Sequence, residues 1–168
     1  TTAMSLSQLE MGVLDILCED ARTTPERMAA MLGCTSEQAA LAVKRLEEEG
    51  VIVGYPALIN WDKTSRENVK AIIEVRVTPQ RDMGFDAIAE RIYRFEEVKA
   101  VYLMSGAYDL LLEVQANSMK RLASFVSQRL ATIEHVLSTA THFVLKKYKV
   151  DGVIMEETNS DERLAVSP

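Results

Sequence analysis

The sequence predicts an α+β protein in two parts, a helix-turn-helix unit followed by a ferredoxin-like β-α-β-β-α-β domain. Three observations predict it. Apolar residues recur at helical spacing through the first 50 residues. The Gly33-Cys34 turn joins two short helices within that stretch, after a preceding first helix. Beyond the wholly polar residues 62–68 the apolar period alternates between that of a strand and that of a helix.

Ser7 and Glu10 form a capping box at the start of the first helix, where Leu9, Val13, Ile16 and Leu17 share a side. Thr24 caps the second helix, and Pro25 takes its first position, where a missing N–H costs nothing. Met28, Ala29, Met31 and Leu32 are its apolar positions, and Gly33 supplies a left-handed stop. Thr35 caps the third helix with Gln38 at the capping-box position. Ala39, Val43 and Leu46 form its inner stripe, and Gly50 ends it. Val51-Ile52-Val53 opens a strand-like stretch to about Trp61, broken by Pro56. The domains are therefore drawn at 4–61 and 69–149, with 62–68 as linker and 150–168 as an acidic extension. Met4 is read as the start proper, with Thr1-Thr2-Ala3 as an addition ahead of it.

In the second part Val69 to Thr78 alternates, with Ala71, Ile73, Val75 and Val77 on one face, and Pro79 closes the strand. Phe85, Ile88, Ala89 and Ile92 form a helical stripe. Val98 to Met104 and Asp109 to Ala116 read as strands around a turn at Gly106. Met119, Leu122, Val126, Leu130 and Ile133 form a second helical stripe, and Val136 to Tyr148 closes the chain's β-rich part. This order is the split βαβ of ferredoxin-like domains, whose helices cover one sheet face only. The other face is also apolar: Tyr102 and Met104 oppose Val101 and Leu103, and Leu111 opposes Leu110 and Leu112. A second subunit packing sheet against sheet is expected to cover it, the alternative being the N-terminal unit folded back.

Composition excludes several classes. The 48% apolar share of 168 residues is that of an ordinary globular chain, and no apolar run reaches membrane-spanning length. The acidic first twenty residues do not resemble a secretory signal, so the protein is expected to be cytoplasmic. Cys18 and Cys34 have neither a CxxC nor a metal-ligand spacing and read as thiols in a reducing compartment. His135 and His142 lack a ligand cluster, so no metal, cofactor or catalytic pair is expected. Charge is divided unevenly. Residues 1–62 carry 4 basic and 10 acidic side chains, residues 63–149 carry 14 and 10, and the last 19 carry 1 and 5. The tail is read as an extension that either packs on a neighbour or stays mobile.

The chain resembles the leucine-responsive/asparagine-synthase regulator (Lrp/AsnC) family over residues 4–149. The resemblance is carried by Leu14-Asp15-Ile16-Leu17, Leu32-Gly33-Cys34-Thr35, Val43-Lys44-Arg45-Leu46-Glu47 and Gly50-Val51-Ile52-Val53-Gly54-Tyr55. It continues with Gly106-Ala107-Tyr108-Asp109 and Thr139-Ala140-Thr141 before Val144-Leu145. It implies a winged helix-turn-helix joined to an amino-acid-metabolism regulation (RAM) domain, double-stranded DNA as partner, and a homodimer that in many members assembles to an octamer. It also implies a transcriptional regulator of amino-acid metabolism that answers to a small amino-acid-like effector. On DNA, Thr35, Ser36 and Gln38 at the positive end of the recognition helix would meet phosphate, and Lys44 and Arg45 phosphate or base edges. On the effector, Gly106, Tyr108 and Asp109 would supply backbone N–H groups and an acceptor, and Thr139 and Thr141 hydroxyls. One departure stands out: the family often has an arginine before Val43, where this chain has Ala42, and Glu37 and Glu47-Glu48-Glu49 add negative charge. An arginine at 42 is therefore expected to tighten DNA binding.

Two other readings compete. A sirohaem-decarboxylase-like enzyme on the same scaffold suits an acidic helix-turn-helix but calls for cationic residues around a large cleft. An effector-binding assembly protein without DNA binding is the third. The Gly50–Tyr55 segment and the Tyr108-Asp109 turn look regulator-like, so the protein is expected not to be an enzyme.

Overall fold

A computed structural model describes residues 4–79, 81–82 and 84–156. Thr1-Thr2-Ala3 and residues 157–168 of the acidic extension lie outside the described residues. The chain divides between Leu58 and Ile59 into two units.

Unit one holds α1 (Gln8–Glu19), α2 (Pro25–Leu32) and α3 (Ser36–Glu48). Each start is fixed locally. Ser7 Oγ accepts from Glu10 N at 3.1 Å while Ser7 N donates to Glu10 Oε1 at 3.2 Å. Thr24 caps α2, and Thr35 and Gln38 close a reciprocal box on α3 at 3.1 and 3.0 Å. Gly33 adopts φ +68°, the left-handed stop between α2 and α3 that a Cβ would strain. Gly12 serves closeness instead: a Cβ there would lie 2.7 Å from Leu32 Cδ2, so its absence lets α2 approach α1. Val13, Met28, Ala39, Ala42 and Leu46 form the core. Met31, expected among the apolar positions of α2, is exposed, because it lies off the side that faces Val13 and Leu46.

The strand expected over 51–61 does not form. The amides of Val51 and Ile52 both donate to Leu46 O, at 2.9 and 3.0 Å, and so cap α3 instead of joining a ladder. Pro56 has no N–H to offer, and residues 51–60 contain no strand. The segment holds to α3 at Tyr55, whose phenol is pushed above its ordinary value by burial and by the Glu47 carboxylate.

Unit two contains a 3₁₀ turn over Trp61–Lys63, across the boundary expected between the first domain (to 61) and the linker (62–68). A four-stranded antiparallel sheet follows in the order β2-β3-β1-β4, with β1 (Val69–Val77), β2 (Val98–Leu103), β3 (Leu110–Ala116) and β4 (Val136–Phe143). Helices α4 (Asp86–Tyr93) and α5 (Met119–Phe125) cover one face. After α5 the chain continues as a π turn, Val126–Leu130, closed by Ala131 N to Val126 O. Ala71, Ile73, Val75, Leu112 and Val114 meet Ile88, Ile92, Leu122, Phe125 and Leu130 in the core. Met119 leaves the expected stripe and is exposed at the first helical position after Ser118.

The last strand stops at Phe143, short of the expected Tyr148. A small hairpin follows, β5 (Lys149–Val150) with β6 (Val153–Ile154), turned by Asp151 and Gly152, both at positive φ. Asn60 Nδ2 donates to Met155 O at 3.4 Å, so this part of the extension packs on its own chain. No helix among the described residues is long and apolar enough to cross a membrane.

Candidate functional site

Helix α3 is the second helix of the helix-turn-helix, the position that enters the major groove in this motif. Its core stripe (Ala39, Ala42, Leu46) leaves the opposite stripe to solvent. Glu37, Leu41, Lys44 and Glu48 lie on that stripe at spacings of four, three and four. Leu41, 66% exposed, has no core partner. The sequence reading missed it, although its offset from the inner stripe placed it there.

The five expected DNA residues differ in what else they do. Thr35 and Gln38 face solvent while their side chains cap α3. Ser36 is half-buried. Lys44 is exposed and forms an (i, i+4) pair with Glu48 at 3.8 Å, the kind of surface contact that a phosphate readily replaces. Arg45 is committed within the unit: its Nη1 donates to Oε1 of the buried Glu10 at 2.7 Å, tying α3 to the capping box of α1. The Glu10 carboxyl is held below its ordinary value by the Ser7 side chain above all; burial opposes this, and the Ser7 N–H and the Arg45 charge assist. Ala42 is 7% exposed and packs in the core, so an arginine there would not face DNA. The expectation that such a change tightens binding is corrected by that geometry.

Of the expected effector residues, Gly106, Tyr108 and Asp109 fall at one end of the sheet, and Thr139 and Thr141 on its edge strand β4. Met104 N donates to Asp109 O at 2.8 Å, closing the turn that holds Gly106 (φ +140°) and the half-buried Tyr108. Asp109 N donates to Val75 O at 3.0 Å, and Asp109 Oδ2 accepts from Val77 N at 2.9 Å, so the carboxylate extends the β1 ladder. Thr139 pairs with Val75 and Thr141 with Ile73, which puts both on the helix-covered side of edge strand β4. Strand β1 separates them from Asp109, a backbone span of roughly 10 Å. One chain gathers Gly106, Tyr108 and Asp109 but does not bring the two threonines to the same point. Register across three strands decides this, and no local pattern encodes it. Among the described residues no group of three or more His, Cys, Asp or Glu side chains could hold a metal ion.

Comparison with known proteins matches both units. Residues 6–53 match the family model for a winged helix-turn-helix DNA-binding domain, and residues 70–154 that for the Lrp/AsnC ligand binding domain. An uncharacterized HTH-type transcriptional regulator of Bacillus subtilis, YugG, is 48% identical over 98% of this chain and 100% of its own. A leucine-responsive regulatory protein of Rhizobium meliloti is 30% identical over 87% of this chain and 93% of its own. Escherichia coli AsnC shares the fold with a TM-score of 0.69 at 22% identity, over 91% of this chain and all of its own. A Neisseria meningitidis regulator solved with L-Met gives 0.71 at 23% identity, over 87% and 94%. The order of the two matched domains, and the near-half identity to a relative covered from end to end, establish that the chain belongs to the Lrp/AsnC family of transcriptional regulators.

Proposed function

We propose that the protein is a sequence-specific DNA-binding regulator of amino-acid metabolism, acting in the cytoplasm as at least a homodimer. A small amino-acid-like effector shifts its assembly or its affinity for DNA. The observation that carries the DNA reading is α3: a capped helix on a packed three-helix core, with Leu41 and Lys44 presented to solvent and unused by the core. An apolar side chain at 41 suits contact with a thymine methyl, and Lys44 suits phosphate. With so few cations on α3 the affinity of one unit is weak, and two units on one duplex compensate by effective concentration.

The effector reading rests on the Gly106–Asp109 turn, together with the L-Met complex of the Neisseria meningitidis neighbour and the leucine-responsive name of the Rhizobium meliloti relative. Because Thr139 and Thr141 lie across β1 from Asp109, the site is completed by a second subunit. A ligand at such a junction shifts assembly by its differential affinity for the two states.

Selection of bound duplexes from a random pool, with and without each amino acid, tests the reading. Enrichment of paired half-sites about 10 base pairs apart is the expected result, and a pool that stays random overturns it. Asp109→Asn keeps an acceptor for Val77 N while removing the charge, and is expected to abolish the amino-acid response without unfolding the sheet. A response undiminished in that variant overturns the effector placement.

A further inference from the structure

Helix α3 presents an acid and an apolar side chain where a DNA-reading helix meets base edges. In a helix-turn-helix that part is the N-terminal half of the second helix, and here it turns Glu37, Ala40 and Leu41 to solvent. The cations come later. Lys44 is the first along the helix, and Arg45 is held by the buried Glu10. Gln38 is exposed as well, but its Oε1 accepts from Thr35 N and so serves the cap. Among the described residues Glu37 forms no hydrogen bond or ion pair. The positive end of α3 makes an acid in its first turn acceptable to the fold. It does not remove the repulsion between that carboxylate and a duplex lined with phosphates.

An exposed carboxylate at this point gains only where the groove offers it a donor. The N4 amino group of cytosine is such a donor, and a glutamate accepts from it. Adenine also shows an amino group, but the N7 beside it is an acceptor that repels a carboxylate, and guanine shows two acceptors, N7 and O6. Leu41 has the complementary preference: an apolar side chain gains from the C5-methyl of thymine. Four residues separate Leu41 from Glu37 on one side of α3, a rise of about 6 Å. Successive bases along a strand are about 3.4 Å apart, so the two side chains reach bases one or two pairs apart.

We propose that Glu37 and Leu41 are the specificity-determining pair of α3, Glu37 selecting a cytosine and Leu41 a thymine one or two base pairs from it. The inference rests on the DNA reading above and names the bases which that reading leaves open. It also gives the acid a role. Glu37 is repelled by the phosphates of every site and gains a bond only at a cytosine, so it widens the ratio of specific to non-specific affinity.

The test selects duplexes from a random pool with the wild-type full chain, with Glu37→Gln and with Leu41→Ala. Both side chains lie on the solvent stripe, so the unfolding midpoints, measured in parallel, are expected to stay together. Wild-type half-sites are expected to share a cytosine and a thymine at the stated spacing. Glu37→Gln is expected to exchange the cytosine for adenine, whose N6 and N7 suit a glutamine. Leu41→Ala, whose methyl stops short of the base, is expected to lose the thymine preference alone. Affinity gives a second reading. On the wild-type site Glu37→Gln is expected to bind at least about fivefold more weakly, and on random duplex more tightly, a reversal that a loosened helix would not produce. Deoxyuridine in place of the thymidine removes only the methyl. It is expected to weaken the wild type about threefold and to leave Leu41→Ala unaffected. A pool that stays random overturns the DNA reading itself. A defined site that lacks the cytosine and thymine, or whose preferences both variants leave unchanged, overturns this inference and leaves that reading standing. So does a wild type indifferent to deoxyuridine.

Discussion

The guanidinium of Arg45 lies 2.7 Å from a carboxylate oxygen that also accepts the Ser7 N–H, so its first duty is inside the fold. Arg45→Ala is therefore expected to lower the melting temperature by a few degrees, whereas Lys44→Ala leaves it unchanged. On DNA, Lys44→Ala is expected to flatten the plot of log affinity against log salt by about one unit, as the loss of one phosphate contact does. Thermal melts and a salt titration on the same two variants separate the roles. Glu10 adds a pH signature. Its pKa is lowered in the folded chain from 4.5, so its contribution to stability is fully present above that value and lost as pH falls through the folded one. Glu10→Gln is expected to cost stability at neutral pH and to narrow the gap from wild type in acid; a gap constant from pH 7 down to the acid limit would contradict it. The capping box was legible in sequence, but the Arg45–Glu10 pair was not. Arg45 and Glu10 are 35 residues apart, and a cation on a recognition helix looks the same whether or not a buried acid waits beneath it.

Helix α3 shows where sequence patterns succeed and where they stop. The caps at Ser7, Thr24 and Thr35 and the stop at Gly33 were legible because each is decided by groups within four residues of one another. The alternation of β1 was legible for the same reason: its buried and half-buried positions follow directly from the period. The strand expected after Gly50 was not, since a strand exists only with a partner and Leu46 O captures the amides first. Position 42 tests the same distinction experimentally. Ala42→Arg forces a long cation into the core that Ala42 shares with Val13 and Leu46, and is expected to destabilise the chain by at least about 3 kcal/mol in urea unfolding. Leu41→Arg places the same charge one residue earlier on the solvent stripe. It is expected to leave the unfolding midpoint within error, to tighten binding to random duplex and to steepen its salt dependence by about one unit. If the two variants unfold alike, the facing of α3 is wrong.

At the scale of the whole molecule, the sheet's second face is the surface on which the proposed assembly rests. Its core side is closed by α4 and α5, but the side carrying Ile72, Tyr102, Met104 and Leu111 is covered by neither helix. Tyr102 remains 49% exposed there. Leu111 pairs directly with Tyr102 on one flank and Glu74 on the other, and the Lys70–Glu113 ion pair and the His142–Glu74 hydrogen bond lie among the apolar residues of this face. Large apolar side chains left uncovered by any helix, set among paired polar groups on one sheet face, suit an interface. Sequence alternation located this face, because Leu110 and Leu112 had already claimed the core side. The polar pairs were hidden, since each joins two strands whose register only the fold supplies. By light scattering the protein is expected to run at no less than twice its 18.8 kDa chain mass at micromolar concentration. Leu111→Glu sets a carboxylate beside Glu74 at the centre of the face while leaving the core residues of β3 untouched. That variant is expected to run at the mass of one chain with unchanged far-ultraviolet dichroism. Loss of the second reading head should then weaken binding to a paired site by roughly 10²–10⁴, the gain that effective concentration supplies, while binding to a single half-site stays the same. A wild type that runs as a folded single chain, or a Leu111→Glu variant that keeps its full affinity for paired sites, would show that the sheet face does not join the subunits.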